Sequence, residues 1–132
     1  MELKPFSYGY AGDLKMGFED AVIHLKNALA KHGFGVQAEI PISYALKTKV
    51  GVDVPREVIL GVCNPALAHK AMQVEKDVTV LLPCTLTVRA SDGGVHISSA
   101  DAEMLVRMTG NQELKPIAKQ AESKLLEALR EL

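Results

Sequence analysis

A hairpin signal in the second half of the chain constrains the fold most strongly. Asp92-Gly93-Gly94 separates two stretches, Leu86 to Ala90 and Val95 to Ser99, in which apolar and polar side chains alternate. Asp-Gly and Gly-Gly pairs favour the tight turns that join antiparallel strands. An alternation with a period of two indicates strands with one buried and one exposed face. The sequence therefore predicts an antiparallel sheet that is covered on one side.

Several amphipathic segments predict the helices that cover this side of the sheet. Phe18 to Leu29 places apolar residues at helical spacing, and Gly33 follows as a C-cap. A terminal helix is predicted from near Pro116 to Leu132, and Asn64-Pro65 is typical of the start of a helix that reaches about Gln73. Asp101–Met108 predicts a further short helix, and Ile42–Lys49 either a short helix or an irregular segment.

Four further segments predict strands. They are Pro5–Ala11, which Gly12-Asp13 ends; Phe34–Ile40; Glu57–Val62; and Val78–Leu82, with a bend at Pro83. In the second of these, Phe34, Val36, Ala38 and Ile40 share one face and Glu39 lies on the other. Nothing marks a linker, so residues 1–132 are expected to form a single α+β domain: one mostly antiparallel sheet with helices packed on one face.

Composition excludes several classes of function. Fifteen basic and sixteen acidic residues give a net charge of -1, which provides no field for sequence-independent binding to nucleic acid. Two cysteines are too few for a secreted disulfide framework. No apolar stretch approaches the roughly 18 residues of a membrane span, and no apolar run follows Met1–Pro5 as in a signal peptide. We therefore expect a cytoplasmic protein without nucleic-acid or membrane partners.

Several short motifs resemble one family. They are Gly33-Phe34-Gly35-Val36, Glu39-Ile40, Lys49-Val50-Gly51, the run from Ile59 to Ala68 that contains Cys63-Asn64-Pro65, and Leu81-Leu82-Pro83-Cys84. In this combination the chain resembles the family named domain of unknown function 302. It departs from the family's pattern at Pro41, where Asp is usual, and at Thr85, where Asn is usual. The resemblance implies a sheet-and-helix fold like that of the TATA-binding protein and a dimer, and it implies no activity.

The two cysteines are the strongest candidates for chemistry. Cys63 ends a buried strand one residue before the helix that Asn64 caps, and such a helix start lowers the pKa of a nearby thiol. Cys84 follows the second apolar run and Pro83. If the two strands are neighbours, the two sulfurs lie close together, and the cysteines then form a redox pair or half of a metal site. The alternative is that both are small buried hydrophobic residues. Without a His or acidic residue within four positions of Cys63, we assign no metal.

Three functions follow from these residues. The first is a small-ligand-binding domain with a pocket at the strand ends around Cys63, Asn64 and Cys84, flanked by Glu39 and Lys49. The second is a thiol redox or thiol-transfer enzyme in which Cys63 is the nucleophile and Cys84 resolves it. The third is an interaction module whose dimer interface is the functional surface. No residue pattern identifies a cofactor, and for Asn64, Glu39 and Lys49 the alternatives are a helix cap and solvated surface charges.

Apolar residues left over from these elements predict a homodimer. Met104-Leu105-Val106 and Met108 are strongly apolar, and Leu126 lies off the stripe of the terminal helix. Such a surplus on a small domain is typical of a partner surface, and a two-fold contact with a second copy is the commonest arrangement. The alternative is that the Met104–Met108 segment covers the open face of the sheet.

Overall fold

The computed structural model describes Met1 to Leu132 and contains a single sheet of six strands, each antiparallel to its neighbours. The strands are β1 (Lys4–Phe6), β2 (Gly9–Leu14), β3 (Gly35–Ile40), β4 (Glu57–Cys63), β5 (Cys84–Ser91) and β6 (Gly94–Ala100), in the spatial order β1-β2-β6-β5-β4-β3. The helices are α1 (Phe18–Lys31), α2 (Ile42–Val50), α3 (Pro65–Val74), α4 (Met104–Thr109) and α5 (Lys115–Arg130). The predicted α+β class is confirmed. None of these helices is both long and apolar enough to span a bilayer.

The main core lies between one face of the sheet and two helices. Alternate residues of the central strands β4, β5 and β6 are buried on this face, among them Leu60, Leu86 and Ile97. Leu25 of α1 and Leu129 of α5 pack against them and are fully buried. The predicted hairpin joins β5 to β6, and Gly93 takes the left-handed backbone conformation (φ 78°) that its turn requires.

A second, smaller core lies beside the main one. It consists of Ala71 of α3, Leu105 of α4, and Val78 and Leu114 from two 3-10 turns. Leu105 is therefore an internal contact, and α4 packs mainly on α5 and the two 3-10 turns instead of covering the open face of the sheet. Of the residues on which the predicted dimer surface depended, only Met108 is strongly exposed (68%), and Leu126 is half-buried.

The amino-terminal strand differs from the prediction. The chain forms a hairpin of β1 and β2, and β2 continues through Gly12-Asp13 instead of ending there. Position 12 needs a glycine, because the Glu2 carbonyl and the Met1 side chain occupy the space that a side chain would fill. Asp13 is tolerated because its carboxylate lies 2.8 Å from Nδ1 of His96 on the neighbouring strand.

The predicted strand Val78–Leu82 is also wrong. Residues Val78–Leu81 form a 3-10 turn, and the strand begins only at Cys84, after Pro83. Val78 is buried in the second core whereas Val80 is 82% exposed. A short apolar run is compatible with a strand or with a helical turn, and here one turn buries a single side of the run.

A bulge changes the orientation of β3. The pairing with β4 shifts between Val36 and Ala38, so Gln37 is an extra residue in the strand. Beyond the bulge, Glu39 stands opposite Leu60 on the helix-covered face, and Ala38 and Ile40 are exposed. The predicted common face for Phe34, Val36, Ala38 and Ile40 is therefore wrong, because one extra residue reverses every side chain that follows it.

Candidate functional site

The structure brings the two cysteines to one cavity. Cys63 is the last residue of β4, where the chain turns into α3, and Cys84 is the first residue of β5, paired with Val62. Both cysteines and Asn64 line a cavity formed with residues of α3, α4 and α5. The expectation that these three residues lie together at the strand ends agrees with this arrangement.

This cavity is small and apolar. Its volume is about 30 Å³, and twelve of its thirteen lining residues are hydrophobic. The lining residues besides the cysteines and Asn64 are Phe34, Val62, Leu67, Ala68, Ala71, Leu82, Ala102, Leu105, Ile117 and Ala121. A space of this volume corresponds to about one water molecule, well below the size of an organic ligand.

The amide of Asn64 is committed to the helix. Its side-chain oxygen accepts a hydrogen bond from the backbone N–H of Leu67 at 3.2 Å, and Pro65 occupies the first helical position. The side chain therefore stabilises the first turn of α3 in the manner of an N-cap.

Both thiols are held in their neutral form. Burial raises the pKa of Cys63, and burial raises the pKa of Cys84 to about 11, with a further contribution from the negative charge that ionised Cys63 would carry. For Cys63 this direction is opposite to the lowering expected from the start of α3, and its cause is desolvation of the thiolate. Both shifts favour the neutral thiol over the thiolate, which is the nucleophilic form.

The other two candidate residues lie away from the cysteines. The bulge directs Glu39 toward α1, where its carboxylate lies 3.0 Å from Nζ of Lys26. Lys49 is exposed on α2. Neither residue lines the cysteine cavity, but Glu39 lines a second, much larger depression.

That depression is a groove of about 740 Å³ between α1 and α2. It lies where the carboxyl end of β3 and the amino end of β4 meet. The lining residues are Phe18, Glu19, Val22, Ile23, Glu39, Pro41, Ser43, Tyr44, Lys47, Val54, Arg56, Glu57 and Val58. Its volume falls within the range of roughly 300–1,000 Å³ that is usual for small-molecule sites.

Four of the five charged side chains that line the groove, all except Glu57, are in ion pairs. The guanidinium of Arg56 stacks on the ring of Phe18 at 4.2 Å and approaches the carboxylate of Glu19 at 3.5 Å. Nζ of Lys47 lies 2.8 Å from Asp53. The groove thus combines apolar side chains with paired charges, a surface suited to a molecule with an apolar body and polar ends.

One wall of the groove is formed by α2, which buries none of its residues. Its attachment to the sheet includes Ser43, whose hydroxyl donates to the Glu57 carbonyl at 3.2 Å and accepts from the Glu57 N–H at 2.9 Å. The sequence pattern does not predict this wall. The one relevant sequence signal is the alternation of Val50, Val52 and Val54, and the structure leaves these three side chains exposed in the end of α2 and the segment after it, which joins no strand.

Comparison with known proteins agrees with this fold. The chain is similar to a solved structure, the crystal structure of an uncharacterized conserved protein DUF302 from Bacillus stearothermophilus, with 32% identity and a TM-score of 0.87. The match covers 95% of this chain and 98% of that chain. No curated protein matches. The profile of the family described as "Domain of unknown function DUF302" matches residues 10–132. The chain therefore belongs to the DUF302 family.

Proposed function

We propose that the protein binds a small amphipathic molecule in the groove between α1 and α2. The observation that carries this proposal is the groove's volume of about 740 Å³, against about 30 Å³ for the cysteine cavity. The function predicted from the sequence, ligand binding, is kept, and the place of binding moves from the cysteines to the groove. Of the five predicted ligand-binding residues, Glu39 is the one that lines it.

The lining residues indicate the chemical class of the ligand. Val22 and Ile23 from α1 and Val54 from the opposite wall offer apolar contacts, and Tyr44 adds an aromatic ring with a hydroxyl. The ion pairs at the rim leave no large excess of either charge. A ligand with an apolar ring or chain and one or two polar groups fits this lining better than a sugar or a nucleotide does.

A fluorescent amphipathic probe, anilinonaphthalene sulfonate, tests the groove. We expect saturable binding of one probe per chain to the native protein. Val54→Trp, which fills the groove, should weaken binding at least about 10-fold, or roughly 1.4 kcal/mol. Val80→Trp is the matched control, because Val80 is 82% exposed and lines neither cavity. The probe is excited directly, outside the absorption of Trp. Equal binding to the two variants would show that the groove is not the site.

Burial of the two thiols makes the thiol-enzyme alternative less favoured than ligand binding. A nucleophilic role for Cys63 needs a stabilised thiolate, whereas burial raises the pKa of both thiols. Ligand binding needs no ionised thiol.

A homodimer is the second candidate, and exposed apolar side chains favour it. Tyr44, Val50, Val52 and Val54 lie on α2 or in the segment that follows it, with 41–67% of their surfaces exposed. A group of this kind is typical of a surface that a partner covers. The proposed dimer surface is thus the outer side of α2 and the segment that follows it, in place of the surface around Leu126.

Sedimentation equilibrium tests the dimer. We expect a mass near twice 14.3 kDa for the native chain and a mass near 14.3 kDa for Val50→Glu. Met108→Glu is the matched control, since Met108 is as exposed (68%) as Val50 (66%) but lies on α4. A monomeric native chain, or a dimer that Met108→Glu disrupts and Val50→Glu does not, would contradict the assignment.

A further inference from the structure

We propose that Cys63 and Cys84 form a two-coordinate site for a soft monovalent metal ion, Cu(I). This inference is independent of the proposed ligand groove, because the two cavities share no residue. It rests on three observations: both cysteines line one cavity, that cavity offers no hard donor, and its volume suits a single ion.

The position of the two cysteines follows from the strand pairing. Cys84 pairs with Val62, so it lies diagonally across from Cys63 on the neighbouring strand. Val62 and Cys84 face the helices, and Cys63 stands at the end of β4, where the chain leaves the sheet to enter α3. Both cysteines line the same cavity.

The donor set selects the metal. Besides the two sulfurs, the only polar side chain that lines the cavity is Asn64, and its oxygen is committed to Leu67. Structural zinc needs four N or S ligands, and the chain contains no group of three or more His, Cys, Asp and Glu residues suited to a metal. Hard cations need oxygen ligands. Thiolates select soft ions, and Cu(I), a closed-shell ion, is stable with two sulfur ligands in a line.

Binding balances without a redox step. Two S–H bonds break, two Cu–S bonds form, and both protons leave to solvent, while copper stays monovalent. The resulting bis-thiolate complex carries one negative charge. Cys63 lies one residue before the N-cap of α3, a helix of ten residues, and the amino end of a helix stabilises negative charge. A volume of about 30 Å³ admits one ion and excludes bulky co-ligands.

Anaerobic titration with Cu(I), in competition with the chelator bicinchoninate, tests the site. We expect one Cu(I) per chain. Cys63→Ala and Cys84→Ala should each lower the affinity by more than about 100-fold, since even the loss of an outer partner of a metal ligand commonly costs 10- to 100-fold. Met104→Leu, which removes a thioether outside the cavity lining, should leave the affinity unchanged. Circular dichroism confirms that each variant is folded.

X-ray absorption of the copper-loaded native protein gives a second measurement that does not depend on any variant. Two sulfur neighbours and no nitrogen or oxygen neighbour are expected. A site with three or more ligands, retention of native affinity by either alanine variant, or loss of affinity in Met104→Leu would overturn the proposal.

Discussion

Cys84 is expected to react with a chromogenic disulfide at pH 7 at least about 100-fold more slowly than a cysteine in an unfolded chain. The thiolate is the reactive species, and an ordinary cysteine has a pKa of about 8.5. Burial, together with the nearby Cys63, raises the pKa of Cys84 to about 11, so its thiolate fraction at pH 7 is some hundreds of times smaller. If Cys84 reacted at pH 6 to 7 as fast as a cysteine in the unfolded chain, the predicted slow reaction would be wrong and the thiol-enzyme function would be favoured.

The same pKa has a consequence for stability. Because the folded-state pKa of Cys84 lies above its unfolded value, the neutral thiol contributes stability that is fully present below about pH 8.5. That contribution is lost as the pH rises toward about 11. The loss is on the order of 3 kcal/mol. The free energy of unfolding of the native chain should therefore fall more steeply than that of Cys84→Ala over this range. Parallel curves for the two proteins would show that the thiol is not desolvated.

Leu86→Ala is expected to lower the free energy of unfolding by about 2–5 kcal/mol, the usual cost of truncating a fully buried leucine. Leu86 has no exposed surface and lies on β5, in the middle of the main core. Val80→Ala is the comparison, with an expected change within about 0.5 kcal/mol, because Val80 is 82% exposed. Denaturant unfolding of both variants measures the difference. Similar losses would mean that Val80 lies in a core strand, as its sequence context suggests.

Local patterns were sufficient for much of the fold. The Asp92-Gly93-Gly94 turn, the apolar stripe of α1 and the Asn64-Pro65 start of α3 are each set by residues that contact one another within a few positions of sequence. The structure contains all three features where the sequence places them. Strong local preferences decide such elements whatever packs on them later.

Short apolar runs were ambiguous. Val78–Leu82 and Glu57–Val62 are both short and mainly apolar. The first forms a 3-10 turn (Val78–Leu81) over the second core, whereas the second forms most of β4, an interior strand of the sheet. Which of them pairs in the sheet depends on the partner strands and on the space that Ala71 and Leu105 leave beside Val78. Periodicity alone does not distinguish the two outcomes.

The candidate sites, like the fold, have some features that the sequence predicts and others that depend on tertiary packing. The sequence by itself determined the α+β class, the hairpin and the main helices, because short-range turn chemistry and apolar periodicity specify these features. It predicted that Cys63 and Cys84 lie close together only on condition that their strands are neighbours, and that pairing is a long-range contact. Only the tertiary structure decided that the space beside the cysteines is about 30 Å³, that Gln37 forms a bulge that directs Glu39 toward Lys26, and that α2 encloses a ligand-sized groove. Cavity volume, strand register and desolvation of a thiol depend on how segments far apart in the sequence pack together. A pattern of neighbouring residues contains no information about that packing.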